Sequence, residues 1–278
     1  MNLYLCSLNS GSNANCYYVG TDQDAVLIDA GLSCRETEKR MNQQGLDINK
    51  VRAIFVSHEH ADHITGVPGI SKKFQLPVYI TPTTLENSRI PVEPTLVNSF
   101  LHNKAVSIGD LRILPFKKNH DGKDPHSFMV SGYGVNVGVI TDIGFACKQV
   151  IKYFSQCQAV FLESNYCDTM LKNGNYPYHL QQRICGDEGH LSNDQALELF
   201  QHYRSADLQL LILSHLSKNN NTPALVNQLF TTHAGPTEIV VASRYEASAV
   251  YCIAGKLSAS VPVAKRKLLK NENQLSLF

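Results

Sequence analysis

His58-Glu59-His60-Ala61-Asp62-His63 places four potential metal ligands within six positions. Imidazole nitrogen and carboxylate oxygen suit zinc and other divalent first-row metals. The stretch follows Val51–Val56, a β-branched and aromatic run of the kind a buried strand carries. A helix would not bring all four side chains to one point. A loop leaving the C-terminal end of a strand can aim His58 and His60 at one ion, and Asp62 and His63 at a neighbouring one. A polar loop with histidines by chance would need four coincident placements after a fitting strand.

Upstream, Asn2–Ser7, Asn15–Gly20 and Asp24–Ile28 read as short strands, with Ser-Gly-Ser-Asn and Thr-Asp-Gln-Asp as turns. Ser33 and Glu36 make a capping-box pattern for a helix to about Gln44, closed by Gly45. Downstream come a Pro/Gly break, a short helix and a strand at Pro77–Ile80. Thr81–Asn98 predicts a short helix and a Pro-containing excursion. Ala105–Ile108 with Leu111–Phe116, and Ser127–Ser131 with Asn136–Thr141, read as hairpins. Strands Ala159–Leu162, Leu208–Leu213 and Glu238–Ala242 then alternate with helices at Cys147–Phe154, Asp194–Tyr203 and Pro223–Thr232. The chain opens β-rich and becomes αβ-alternating, which two sheets with helices outside accommodate. A single domain over 1–262 is expected, with a flexible basic tail over 263–278.

The 278 residues are 43% apolar and 18% charged, which excludes a disordered chain. The net charge of +1 neither announces nor excludes a nucleic-acid partner, because a local basic groove can sit on a neutral protein. No apolar run approaches the roughly 18 residues of a membrane helix. The N-terminus lacks a basic region before its short apolar stretch, so a cytoplasmic protein is expected. Cysteines 6, 16, 34, 147, 157, 167, 185 and 252 form no C-x-x-C pair and read as free, mostly buried thiols.

Four further residues stand at or beyond predicted strand ends: Asp29 in Leu-Ile-Asp-Ala-Gly, His120 after Leu111–Phe116, Asp142 in Val-Ile-Thr-Asp-Ile-Gly, and His215 in Leu-Ser-His-Leu-Ser. Singly, each reads as readily as a turn or surface residue. In this order, with the H-x-H-x-D-H stretch, they resemble the metallo-β-lactamase superfamily along nearly the whole chain. The resemblance implies an α/β fold, the αββα four-layer sandwich, with the site at the sheets' edge. It also implies two divalent metal ions, zinc or manganese. His58, His60 and His120 would hold one, Asp62, His63 and His215 the other, with Asp142 bridging and Asp29 bracing the histidine loop. Such an ion pair lowers the pKa of water and stabilises charge on a phosphoryl or carbonyl oxygen, so the implied chemistry is hydrolysis.

Glu163, ending Ala159–Leu162, and His190, in Glu-Gly-His-Leu-Ser-Asn, match a carboxylate and histidine of the tRNase Z-like branch. There the Glu orients a histidine that protonates the leaving oxygen. The bland reading is an exposed strand end and a helix-start residue. Ser7–Gly20, Asn119–Pro125, Glu163–Tyr166, Asn175–Tyr178, Gly186–Asn193 and Ser214–Asn221 together resemble the YycJ (WalJ, VicX) family. That family is associated with 5′→3′ exonuclease activity on DNA and with DNA repair. Ala14 departs from it, where a glycine is expected in a loop whose amides could cradle a phosphate. The interval from Asp142 to His215 is too short for the domain that β-CASP nucleases insert there.

The last residues, Gln274-Leu275-Ser276-Leu277-Phe278, resemble the peptide that docks on the bacterial β sliding clamp. Lys265, Arg266, Lys267 and Lys270 precede them and could meet DNA phosphates. Three readings follow. The first is a dinuclear phosphodiesterase acting on DNA, with Asp62, Glu163 and His190 in the catalytic machinery. The second is a small-molecule thioesterase or lactonase. The third is a recruitment module working only through its tail.

Overall fold

Alternating burial sorts the strands into two sheets. A computed structural model describes residues 1–255. The first sheet is built from β1 (Asn2–Asn9), β2 (Cys16–Gly20), β3 (Ala25–Ile28), β4 (Val51–Phe55), β5 (Val78–Tyr79) and β6 (Val97–Asn98). The second takes β7 (Val106–Ile108), β8 (Leu111–Lys117), β9 (His126–Gly132), β10 (Val135–Ile140), β11 (Ala159–Glu163), β12 (Leu210–Ser214) and β13 (Glu238–Val241). The last described strand, β14 (Tyr251–Ala254), returns to pair antiparallel with β1. The orders are β14-β1-β2-β3-β4-β5-β6 and β13-β12-β11-β10-β9-β8-β7.

Val26 and Ile28 of β3 pack into the core shared with Phe128, Val137 and Ile212 of the second sheet, while Leu27 belongs to the outer cluster. Phe55 joins the layers, stacking on Tyr79 at 4.6 Å and meeting Phe128 edge-on at 5.8 Å. Helices α1 (Cys34–Gln43), α2 (Ala61–Ile64), α3 (Val67–Phe74) and α4 (Pro82–Ser88) follow the first sheet's strands, and Met41, Val67 and Ile70 cover its outer face. After these come α5 (Lys148–Phe154), α6 (Asp168–Asn173), α7 (Tyr178–Cys185), α8 (Asn193–Tyr203) and α9 (Pro223–Thr231). Phe154, Phe200 and Phe230 from α5, α8 and α9 cover the second sheet. The result is the αββα four-layer arrangement.

What positions the site is strand direction. β3, β4, β5 and β6 are mutually parallel, as are β10, β11, β12 and β13. Each run ends in residues the sequence singles out: Asp29 beyond β3, His58 beyond β4, Asp142 beyond β10, Glu163 on β11 and His215 beyond β12. Carboxyl ends of parallel strands form the usual ligand edge of an α/β sheet.

Several elements differ from the sequence reading: Asp62 and His63, expected in a loop, lie on the one-turn helix α2 (Ala61–Ile64), and Val97–Asn98, expected in an excursion, form β6. β14 escapes that reading because its four residues, Tyr-Cys-Ile-Ala, are all apolar, so the alternating burial leaves no polar–apolar alternation to read. α7 has no buried residue and follows Pro177, so it lacks the apolar stripe that marks a helix. α6 is a short segment with only Leu171 buried. The cysteines are free but not mostly buried: Cys6, Cys16 and Cys157 are, Cys34, Cys147 and Cys167 are half-buried, and Cys185 and Cys252 are exposed. The domain end near 262, the basic tail and the Gln274–Phe278 peptide lie outside the described residues. No helix among the described residues is long and apolar enough to cross a membrane.

His126, at the start of β9, supplies a pH prediction. Its ring is buried against Phe100, and its Nδ1–H donates to the Asp124 carbonyl at 2.8 Å. Burial pushes its pKa down to about 4, with the Asp124 carbonyl opposing. The unfolded chain takes up this proton near pH 6.5 and the folded chain only near 4. The stabilisation is therefore full above about 6.5 and is lost as pH falls towards 4, an effect on the order of 3 kcal/mol. Urea unfolding at pH 7 and pH 4.5 checks this. The difference between the two midpoints should shrink in His126→Gln, and an equal difference in variant and wild type would refute it.

Candidate metal centre

The strand-end residues are held in uncommon backbone conformations. Asp29, Asp142 and His215 have φ of 59°, 54° and 56°, the left-handed region. That geometry costs a non-glycine residue about 1–3 kcal/mol and persists only where the surroundings enforce it. Here they do. Asp29 Oδ1 accepts the Ser57 N–H at 2.7 Å, and its Oδ2 accepts the Ser57 hydroxyl and the His63 Nδ1–H, each at 2.7 Å. The buried Lys118 ammonium donates to the Thr141 carbonyl at 2.8 Å, immediately before Asp142. His215 donates its N–H to Ser10 Oγ at 2.7 Å, and its carbonyl accepts from Asn165 at 2.8 Å.

Side-chain hydrogen bonds then orient the imidazoles. His58 Nδ1 pairs with Ser57 Oγ at 2.8 Å, His63 Nδ1 with Asp29, His120 Nδ1 with the Gly189 carbonyl at 3.0 Å, and His215 Nδ1 with Glu163 Oε1 at 3.0 Å. These bonds assign the proton to Nδ1 and leave the Nε2 lone pair turned inward. His60 is reversed: its Nδ1 faces His58 Nε2 at 3.0 Å, and its Nε2 lies 3.4 Å from Asp121 Oδ1.

The inward atoms form four overlapping groups whose donor atoms lie within 4.8 Å of one another. They are His58, His60 and His120; Asp62, His63 and His215; His58, His63 and Asp142; and Asp142, Glu163, His190 and His215. Asp142 stands in two of them. His63 Nε2 is 3.4 Å from Asp62 Oδ2 and 3.2 Å from Asp142 Oδ2, and His215 Nε2 is 3.7 Å from Asp62 Oδ2. Ligands at about 2.0–2.1 Å from a tetrahedral ion lie roughly 3.3 Å apart, so the spacing suits a shared cation. His120 Nε2, Asp142 Oδ2 and His215 Nε2 are buried without a hydrogen-bond partner. Orphaned lone pairs converging in this way fit divalent metal ions.

Charge tells the same story. Burial pushes His58 and His120 down, His120 to about 4, and Lys118 pushes both further the same way. Burial also opposes a proton on His63 and His215, but there the carboxylates win, Asp142 foremost, and both are raised. Burial would raise Asp142, yet His215, His63 and Lys118 hold it well below the usual carboxylate range. Protons on His63 and His215 balance the buried carboxylates when no cation is bound. Divalent ions displace such protons, so metal affinity rises with pH.

A family model described as a beta-lactamase superfamily domain matches residues 24–216. The chain belongs to this superfamily. It is 34% identical over 81% of its length to the exodeoxyribonuclease YycJ of Bacillus anthracis, covering 86% of that protein. It is 30% identical over 82% of its length to the exodeoxyribonuclease WalJ of Streptococcus pneumoniae serotype 2, covering 88% of it. Among solved structures, the metallo-beta-lactamase fold protein YhfI of Bacillus subtilis superposes with a TM-score of 0.71 at 16% identity, over 91% of this chain and 100% of that one.

On this superfamily scaffold the structure brings together His58, His60, Asp62, His63, His120, Asp142 and His215, the ligands named from sequence. Glu163 and His190 also meet: His190 Nδ1 lies 2.8 Å from Glu163 Oε1, while Glu163 Oε2 accepts the Ile143 N–H at 2.7 Å. Burial pushes the Glu163 carboxyl up, but His190 and His215 outweigh it and hold it below the usual range.

Sequence reasoning missed Asn15, which donates to Asp62 Oδ2 at 3.0 Å, and Asp121 and Lys118 beside the cluster. The signal for Asn15 was the polar loop Ser10–Asn15, read there as a phosphate cradle. The amides of Ser10, Gly11, Ala14 and Asn15 are bonded within the chain, to Ser243, Asn15, Gly11 and Asp62, which leaves only those of Ser12 and Asn13 at the loop tip for such a role. Ala14 packs into the outer core rather than towards a ligand. The loop instead fixes Asp62, whose carbonyl approaches so closely that a Cβ at Gly31 would overlap it.

Proposed function

We propose that this chain is a metal-dependent 5′→3′ DNA exonuclease acting in repair in the cytoplasm. The observation that carries the reading is the Glu163–His190 pair beside the cluster. The names of the YycJ and WalJ relatives support DNA as the substrate over a small thioester or lactone. Two zinc or manganese ions are proposed, one on His58, His60 and His120, the other on Asp62, His63 and His215, with Asp142 between them. Bound there, such ions supply a hydrolytic nucleophile at neutral pH and take up charge on the phosphoryl oxygens.

The protein's own groups do the rest. Asn15 and the Ser10–Asn15 loop hold Asp62 in place, and Asp29 holds His63. A cavity of about 270 Å³, lined by Ser12, Asn165, Tyr176, Arg183 and His190, opens onto the cluster and seats the strand end. Glu163 accepts the His190 Nδ1–H, which leaves Nε2 to hand a proton to the departing oxygen. An alkoxide is a poor leaving group without that proton. The Gln274–Phe278 peptide would hold the enzyme on the β sliding clamp, and tethering raises the local concentration of DNA ends.

The test is release of label from linear duplex DNA marked at one 5′ end, with Mn²⁺ or Zn²⁺ supplied. Early labelled mononucleotide from the wild type, and none from His60→Ala, is the expected result. Equal release by His60→Ala would sink the assignment.

A further inference from the structure

Beyond β13 lies a second cavity, of about 330 Å³, that the reaction above does not use. Leu216, Ser217, Lys218, Arg244 and Tyr245 line it, together with the carboxylate-bearing Glu246. It borders the metal centre directly. Leu216 follows His215, Ser217 lines both cavities, and Ser10, which accepts the His215 N–H, lines the second. A volume above 300 Å³ lies within the small-molecule range of about 300–1,000 Å³.

Its chemistry is that of an anion site. The Arg244 side chain is half-buried, its Nη1 is fully buried without a hydrogen-bond partner, and among the described residues its guanidinium forms no ion pair. Arg244 lines the cavity, so an anion seated there meets a guanidinium whose charge no carboxylate among the described residues offsets. Lys218 is exposed at the same cavity and likewise has no ion-pair partner among the described residues. The N-terminus of α9 opens beside them at Asn221 and Pro223, and its dipole favours negative charge.

The site is also built rather than incidental. The buried Arg40 side chain donates to the Tyr245 carbonyl and to the Leu8 carbonyl, each at 2.8 Å. Asn13 donates to the Arg244 carbonyl at 3.0 Å, and Ser10 N–H to the Ser243 carbonyl at 3.1 Å. The loop that carries Arg244 is thus locked to the same N-terminal loop that fixes Asp62. Tyr245, 69% exposed and lining the cavity, offers a ring on which a base of a bound strand can stack.

Resting on the nuclease reading, we infer that this cavity is a second phosphate subsite, in which Arg244 and Lys218 hold a phosphate of the bound strand away from the scissile bond. The phosphate is either the strand's terminal monoester or an internal diester. A planar guanidinium suits either, because its donors match phosphate oxygens in pairs.

The experiment measures binding of phosphorothioate-linked single-stranded oligonucleotides, which resist cleavage, to the metal-loaded full chain by fluorescence anisotropy. One oligonucleotide carries a 5′-phosphate and the other a 5′-hydroxyl. Arg244→Gln and Lys218→Gln are each expected to weaken binding about 10-fold. Each should also flatten the plot of log K against log salt by about 0.7, the loss of one phosphate contact on a single strand. A merely structural role would not move that slope. Loss confined to the 5′-phosphorylated strand identifies the terminal monoester, and equal loss on both identifies an internal diester. Wild-type affinity and slope in both variants, on both strands, would overturn the subsite. Lys218 is exposed, so its variant keeps the test decisive if Arg244→Gln folds poorly. Incubation of wild type with an all-phosphodiester strand reads the nuclease proposal separately: no cleavage would defeat that proposal, while the binding slopes still decide the subsite.

Discussion

Asp142→Ala is expected to lower DNA cleavage by about 10³-fold or more, and to lower bound metal measured by elemental analysis. Asp142 is the carboxylate shared by two of the ligand groups, and its Oδ2 is buried with no hydrogen-bond partner. It lies 3.2 Å from His63 Nε2 on one side, and its Oδ1 lies 3.1 Å from His215 Nδ1 on the other. Asp29 and Glu163 cannot take over, because Asp29 is committed to Ser57 and His63, and Glu163 to His190, His215 and the Ile143 amide, while Asp121 stands on the His60 and His120 side, not between His63 and His215. Several kilocalories per mole of phosphoryl charge stabilisation depend on such a centre, and about 4 kcal/mol is the stated factor. Asp142→Asn keeps the shape and removes only the charge, so it should fail nearly as badly. A variant that retained both its metal and its rate would show that Asp142 is not a ligand, and the orphaned oxygen would need another explanation.

The ligand set was readable in the sequence for a physical reason. Parallel strands put their carboxyl ends on one edge, so a polar residue just past each of several apolar runs must converge with the others. His58, Asp142 and His215 each follow such a run, and Glu163 ends one. The residues that orient them were not readable. Asn15 reaches Asp62 across 47 positions, and Ser10 reaches His215 across 205. Neither contact leaves a periodic trace, and a polar loop looks the same whether its amides face a ligand or one another. The loop before Asn15 illustrates this: its glycine and serines suggested a phosphate cradle, and four of its amides, those of Ser10, Gly11, Ala14 and Asn15, are spent internally. The cavity at Arg244 was hidden similarly. A lone arginine after a strand is unremarked until the fold buries one of its nitrogens.

His190→Ala is expected to cut kcat on DNA by about 10²–10⁴-fold, the usual worth of a positioned acid. The same variant should lose far less on bis(p-nitrophenyl) phosphate, because p-nitrophenolate departs without a proton. This contrast separates proton donation from metal binding, which His190 could also serve, since it shares a ligand group with Asp142, Glu163 and His215. A ligand's loss would depress both substrates together and lower metal content. Geometry favours the acid. The His190 Nδ1 is held by Glu163 at 2.8 Å but stands 3.8 Å from Asp142, and the ring is only half-buried, at the cavity that receives the strand. Glu163→Gln should be milder on DNA than His190→Ala, since an amide oxygen can still accept the Nδ1–H and keep the ring oriented. Equal losses on the two substrates in His190→Ala would remove the acid from the mechanism and return His190 to the metal.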